Sequence, residues 1–430
     1  MQLEFNTPDA TLRFFGFREP KGAAVPLRWP ETLGSEEACG RARTLLSFPA
    51  MRGALLLVAV LGAFVPFGCT PYQPFDSVAG LRQEYATQLG AATPASGIVV
   101  PFELSPTITV ELDTKLPPLP SQRRKINQIL DFIFTRLDLR YELQPTRNAV
   151  EVFRDRAGNC LSFVNLFVGV ARHQGLAPFY VEVVDYQRWN RREGMVVSQG
   201  HIVAGLYLDG ELATYDFLPY RPKAYRDFKP IDDRTAAAHY FNNLGAEALL
   251  AGDPGGAQQL LGIAAGIAPT FSKALNNLGV LESRKGNYAR AADLYDQALK
   301  SSPEDSLILT NLARLYQLTG RIEEAVAILA RIEAANTTNP FFFVYEAEVA
   351  LSRGDEQKAI AYLTRALRQD SEVPEVHVGF VKVYVALGDL EKARHHLERA
   401  LKLDATNPEA QELARMLGQE TPRPSRQENR

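Results

Sequence analysis

Gly279-Val280-Leu281-Glu282-Ser283-Arg284-Lys285-Gly286-Asn287-Tyr288-Ala289-Arg290-Ala291-Ala292-Asp293-Leu294-Tyr295 is one unit of a pattern that sets the C-terminal half of this chain. Read outward from it, Gly252, Gly286, Gly320, Gly354 and Gly388 recur every 34 residues, and so do Ala257, Ala291, Ala325, Ala359 and Ala393. Gly245, Gly279, Ala313 and Ala347 hold a small position ahead of each glycine, with Val381 as the departure. Leu261, Tyr295, Leu329, Leu363 and Leu397 hold a large apolar position after it. Two helices cross closely only where one side chain is small, and a large neighbour fills the remaining gap. The intervening glycine ends the first helix in a backbone conformation that other residues avoid.

A period of 34 with these spacings resembles the tetratricopeptide repeat. The resemblance implies five helix pairs over 237–418, closed by a capping helix at Asn407–Gly418, with a polar disordered tail over 419–430. It also implies an all-α solenoid that binds a protein or peptide partner. Asn243, Asn277 and Asn311, with Asn242 and Asn276, would line its inner groove; the other reading is that Asn is simply frequent at this point of the repeat, with no specific peptide clamp.

The 430 residues exceed one ordinary core, and the composition is that of a globular chain: 46% hydrophobic, 23% charged, net charge −3. No basic run marks a nucleic-acid footprint. Residues 51–69 place Arg52 ahead of an apolar run that ends in Gly68-Cys69, the layout of a bacterial secretion signal. The ending resembles a lipoprotein signal, which implies lipidation of Cys69 and a protein anchored to the membrane, in the bacterial envelope, facing the periplasm. Met51 directly precedes that signal, so residues 1–50 read as an over-extended frame and 70–97 as a linker, broken by a short helical segment near Val78–Leu89. The alternative is an N-terminal anchor helix with a cytoplasmic tail. Of the three cysteines, Cys39 falls in the leader and Cys69 at the lipid site. Cys160 is then the lone thiol of the mature chain, without an internal disulfide partner.

Between linker and repeats the pattern is mixed. Residues 98–103 and 107–112 read as short strands from their β-branched content. Lys125–Leu137 carries apolar residues at helical spacing. Arg156-Ala157-Gly158-Asn159-Cys160 leads into a helix whose apolar face holds Phe163, Leu166, Phe167, Val170 and Ala171, and which stops at Gln174-Gly175. Cys160 therefore sits in the first helical turn, where unpaired N–H groups and the helix dipole lower a thiol pKa and can hold an oxyanion. His173 lies along the same helix, roughly 20 Å away at 1.5 Å per residue. His239, His377, His395 and His396 lie at or in the repeats, so His201 is the remaining base. A strand is expected at Phe179–Val184, a loop at Gln187–Ser198 with Trp189 beside the cleft, and a hairpin over 201–217. With Asp209-Gly210 as a two-residue turn, Leu208 pairs with Glu211 and Val203 with Asp216. His201, Val203 and Asp216 then share a face, and Asp216 is the diagonal neighbour of His201.

Gly158-Asn159-Cys160, Gly200-His201 and Tyr215-Asp216 together resemble the transglutaminase-like superfamily of papain-related cysteine enzymes. The resemblance covers about residues 98–232. It implies an α+β papain-like domain with Cys160 as nucleophile, His201 as base and Asp216 as orienter, needing no metal or cofactor. A hydrolase acting on a protein or peptide substrate is one outcome. The same triad also serves a protein-glutamine acyltransferase, and a non-catalytic envelope scaffold is the third reading.

Overall fold

The computed structural model of the protein describes residues 2–4, 78–90, 98–192, 195–218, 225–335 and 337–418. The segment 51–69 with Cys69, and the tail 419–430, lie outside the described residues. No helix among the described residues is long and apolar enough to cross a membrane.

The N-terminal unit is α+β. In chain order it comprises β1 (Gln2–Glu4), α1 (Val78–Leu89), α2 (Pro106–Lys115), α3 (Gln122–Asp131) running into a π-helical turn at Phe132–Arg136, β2 (Arg140–Tyr141), α4 (Ala149–Asp155), β3 (Ala157–Gly158), α5 (Cys160–His173), β4 (Phe179–Arg192), β5 (Met195–Leu208), β6 (Glu211–Tyr215) and β7 (Phe228–Ile231). The antiparallel sheet runs β1-β5-β4-β7, with β6 also pairing β5. Its inner face, with Tyr180, Ile202, Ala204 and Leu206, packs on α5 through Phe167 and its neighbours. Asp209 and Gly210 both have positive φ, 55° and 89°, so the turn twists with its strands, and Leu208 lies opposite Glu211.

Three expectations are corrected. Residues 107–112 are helical, within α2: Ser105 accepts a hydrogen bond from the Ile108 amide, Pro106 opens the first turn, and Ile108 and Leu112, one turn apart, are buried. Of the other β-branched residues that suggested a strand, Thr107 and Val110 face solvent; Val110 is 66% exposed. Residues 98–103 form no ladder. They cross α5 where Gly169 lacks a side chain, since a Cβ there would meet the Phe102 carbonyl oxygen at 2.3 Å.

The expected loop at 187–198 is a ribbon. After a bulge between Val183 and Arg188, β4 and β5 pair again from Arg188–Gln199 to Arg192–Met195. Trp189, Val196 and Val197 are buried in the repeat core, which supplies the apolar surface that the polar stretch itself lacks. Trp189 thus packs against the repeats instead of flanking the cleft. Thirdly, the 78–89 part of the expected linker is core: Leu81 and Tyr85 of α1 are fully buried, and the Tyr85 hydroxyl donates to the Asp233 carbonyl at 3.0 Å.

The repeats are α6 (Asp233–Leu250), α7 (Pro254–Ile267), α8 (Ser272–Arg284), α9 (Tyr288–Ser301), α10 (Ser306–Leu318), α11 (Ile322–Ala334), α12 (Pro340–Ser352), α13 (Glu356–Gln369), α14 (Pro374–Ala386), α15 (Leu390–Leu403) and α16 (Pro408–Met416). All five period-34 glycines have φ between 74° and 77° or at 80°. A Cβ on Gly279 would lie 2.5 Å from the Tyr295 ring, so the small-large pairing is a steric requirement. Repeats and α+β unit share one apolar core that includes α6 and α7. Ion pairs cross the seam: Arg172 meets the fully buried Asp233 at 2.7 Å, and Glu182 meets Lys273.

Candidate functional site

The Cys160 segment is built by a sequence of local stops. Arg156 takes a left-handed conformation (φ 56°) and ends α4. Ala157–Gly158 then pair with Arg140–Tyr141, and Asn159 caps α5 by accepting from the Ser162 amide at 3.0 Å. A Cβ on residue 158 would stand 2.6 Å from that of Ser162, so glycine allows the chain to turn in this tightly. The Asn159 amide donates to Thr146 Oγ1 (2.9 Å) and the Leu143 carbonyl (3.2 Å), and Thr146 Oγ1 donates to Glu247 of α6 at 2.7 Å. The first repeat helix thereby fixes the cap beneath Cys160.

His201 is 1% exposed on β5. Its Nε2 lies 2.8 Å from Asp216 Oδ1, one residue beyond β6. That leaves Nδ1 for the hydrogen bond the ring shares with the Cys160 thiol. Asp216 Oδ1 also accepts from the Leu218 amide at 3.0 Å, and Oδ2 from the Tyr225 hydroxyl at 2.7 Å. Cys160 and Asp216 thus share His201 as a common neighbour, with the Asp216 bond at 2.8 Å. Cys160 is the one cysteine among the described residues and is partly accessible.

The electrostatics follow from these contacts. Burial pushes the Cys160 thiol up, but the His201 hydrogen bond and charge, with the Ile202 and Leu161 amides, bring it below its ordinary value. Burial likewise opposes charge on His201, yet Asp216 and Cys160 raise it to about 9. Asp216 is lowered: burial is outweighed by His201, Tyr225 and the Leu218 amide. Each shift favours a thiolate–imidazolium–carboxylate line.

The remaining histidines stand elsewhere. His173 Nε2 meets Asp113 Oδ1 at 2.7 Å, His239 lies 3.9 Å from Glu182, and His377 and His396 meet at 3.1 Å between α14 and α15. Among the described residues no group of three or more His, Cys, Asp or Glu is placed to hold a metal. The expected groove asparagines are corrected. Asn277 Nδ2 donates to Asn242 Oδ1 and Asn311 Nδ2 to Asn276 Oδ1, both at 2.8 Å, with all four buried. They form a ladder between successive first helices, because a buried amide needs a partner and the neighbouring repeat supplies one. Asn243 is only half-buried.

Three residues escaped sequence reasoning. The rings of Tyr186 and Tyr225 stand 5.1 Å and 5.6 Å from the imidazole, centroid to centroid, and shield it from water. Tyr186 lies in the β4 bulge and Tyr225 beyond the prolines that follow the hairpin, where neither period nor motif marks them. Gln144 Nε2 is buried with no hydrogen-bond partner, on the 143–146 segment that Asn159 grips.

Residues 110–218 match a family model described as the transglutaminase-like superfamily, and the match contains all three residues of the line. Residues 242–306, 283–340 and 350–417 match tetratricopeptide-repeat models. Among solved structures, one titled as a functional characterization of Pseudomonas aeruginosa pilF is 22% identical over 43% of this chain and 84% of that chain, with a TM-score of 0.37. A thermophilic TPR protein of Thermus thermophilus is 20% identical over 42% of this chain and 97% of that one, with a TM-score of 0.36. No curated protein matches the chain.

Proposed function

We propose that the transglutaminase-like domain this chain carries ahead of its tetratricopeptide repeats is a cysteine hydrolase of amide bonds, working on a protein or peptide. The observation that supports it is the single imidazole held between the thiol of Cys160 and the carboxylate of Asp216. The Cys160 thiolate attacks the amide carbonyl carbon, and the developing oxyanion is met by the N–H groups at the start of α5 and by the Gln144 side-chain amide. His201, as imidazolium, gives its Nδ1 proton to the leaving amine, which departs as the thioester forms. His201 then takes a proton from water, the hydroxyl adds to the thioester, and the acid leaves as the thiolate returns. Asp216 holds the imidazole by Nε2 throughout. The repeats recruit a protein or peptide partner, and a lipid on Cys69 tethers the whole in the bacterial envelope, facing the periplasm.

A p-nitrophenyl ester tests the chemistry without knowledge of the substrate. An acyl adduct is expected on Cys160 by mass spectrometry, absent in His201→Ala and decaying in water. Faster decay with an added primary amine, giving the amide product, would replace hydrolysis with acyl transfer. No adduct above the His201→Ala background would leave a scaffold.

A further inference from the structure

Helix α6, the first of the repeats, is tied to both ends of the helix that carries Cys160. At the C-terminal end of α5, Arg172 meets Asp233, the first residue of α6, through Nη1 to Oδ2 at 2.7 Å and Nη2 to Oδ1 at 2.8 Å. At the N-terminal end the Asn159 cap meets Thr146, and Thr146 meets Glu247 of α6. The stretches Asn159–Arg172 and Asp233–Glu247 both measure about 20 Å at 1.5 Å per residue. One helix therefore reaches along the whole of the other, in the opposite direction.

The Glu247 end bears on the chemistry. Its carboxylate accepts from the Thr146 amide with both oxygens, at 3.0 and 3.1 Å, and from the Thr146 hydroxyl at 2.7 Å. These bonds favour the ionised carboxyl against the burial that raises its pKa. Thr146 is 2% exposed, so water does not replace them. A carboxylate only accepts, so it draws the Thr146 proton and leaves an Oγ1 lone pair for Asn159, which donates through Nδ2 at 2.9 Å. Nδ2 also donates to the Leu143 carbonyl. Asn159 Oδ1 is thereby left for the first turn of α5, where it accepts from the Ser162 amide at 3.0 Å and the Ser162 hydroxyl at 2.9 Å. Each bond from Glu247 to α5 takes its direction from that one acceptor. Ser162 Oγ in turn accepts from the Arg147 amide at 2.8 Å. The 143–147 strip is thus gripped by α5 on one side and by Glu247 on the other, and Gln144, with its buried and unpartnered Nε2, stands within it.

We propose that Glu247 is a positioning residue of the Cys160 site. From the first repeat helix it holds the 143–147 strip and the Asn159 cap, and so aims Gln144 and the opening amides of α5 at the reacting carbonyl. The unit that performs the chemistry then extends through α6 instead of ending near residue 232, and the repeats are a structural part of it. The effect on acylation rests on the hydrolase reading above; the hold on the strip does not.

The test uses the full chain with Glu247→Leu and Glu247→Gln. In Glu247→Leu, hydrogen exchange at the Thr146 amide should speed up by about tenfold or more, since a bond to a charged acceptor is lost. Acylation of Cys160 by the p-nitrophenyl ester should slow by about tenfold or more, while alkylation by iodoacetamide, which forms no oxyanion, should keep its rate. Glu247→Gln retains an acceptor for Thr146 and should recover most of the acylation rate. Unchanged exchange at Thr146 in Glu247→Leu would overturn the proposal. So would a parallel fall of acylation and alkylation, or equal losses in the Leu and Gln variants, either of which reduces Glu247 to a general stabiliser. If the native chain forms no acyl adduct, the hydrolase reading falls, and exchange at Thr146 decides the hold by itself. Should Glu247→Leu misfold, the isosteric Thr146→Val cuts the same chain at its middle. Slower acylation with alkylation retained then supports the proposal, and native acylation refutes it.

Discussion

The thiolate–imidazolium pair makes a quantitative prediction about alkylation. At about pH 6 a free thiol with a pKa of about 8.5 is roughly 0.3% thiolate. The His201 interaction lowers the Cys160 thiol, and complete ionisation sets the upper limit of the gain at about 300-fold, offset because a less basic thiolate is a weaker nucleophile, with a Brønsted slope of about 0.4–0.5. Alkylation by iodoacetamide should therefore be faster than that of free cysteine, by up to about tenfold. The profile should show a plateau through neutrality and a second rise as His201, held up to about 9 by Asp216 and Cys160 against the burial penalty, loses its proton. In His201→Ala the plateau should vanish and the single rise should move to higher pH, because burial, the largest influence on the thiol, is then opposed only by the Ile202 and Leu161 amides. Asp216→Asn keeps an acceptor for Nε2–H but removes the charge, so the second rise should shift to lower pH.

The same pair fixes the sign of the stability dependence. A histidine whose folded pKa is raised from 6.5 to about 9 contributes stability fully present below pH 6.5 and lost as pH climbs through 9. The shift corresponds to about 3 kcal/mol, shared between Asp216 and Cys160. Denaturant midpoints at pH values on either side of that window, in the native chain and in His201→Ala, would measure it. Alkylation of Cys160 no faster than that of free cysteine at about pH 6, with the rate unchanged in His201→Ala, would refute the thiolate–imidazolium pair.

Tyr225→Phe removes a 2.7 Å hydrogen bond to the Asp216 carboxylate, and should cost about 2 kcal/mol of stability, read by urea titration. Glu182, held down to about 2 by Lys273, His239 and Lys229 against its burial, contributes stability that is present above pH 4.5 and lost as pH falls toward 2. Glu182→Gln should therefore lower the unfolding free energy by about 2 kcal/mol at neutral pH and by little near pH 2, read by urea titration. Asn277→Ala breaks the ladder to Asn242 and should destabilise the repeats by about 2 kcal/mol, seen in thermal melts. Gln144→Leu should slow acylation by the p-nitrophenyl ester by about a hundredfold or more, while leaving the alkylation plateau in place, because no oxyanion forms in alkylation.

Legibility tracked the range over which each structure is determined. The helix pairs were readable because the Gly279–Tyr295 contact recurs in sequence, and each repeat tests the reading of the one before. The Asp216 position was readable because a two-residue turn at Asp209-Gly210 fixes register over a few residues, and register fixes faces. Where the deciding partner is distant, the local signal misled. Thr107, Ile108, Thr109 and Val110 carry β propensity, but Ser105 and Pro106 start a helix, and the core rewards Ile108 with Leu112 at helical spacing. The stretch around Trp189 looks like a polar loop because its apolar complement, the core of the repeats, lies far along the chain. The asparagines show the same logic from the other side. Each looked like a groove residue when counted singly, yet two rungs at 2.8 Å join four of them across three helices. Each rung spans 35 residues, so an asparagine of one repeat meets the residue beside its copy in the next, and the adjacent pair Asn276 and Asn277 on α8 supplies one end of each rung.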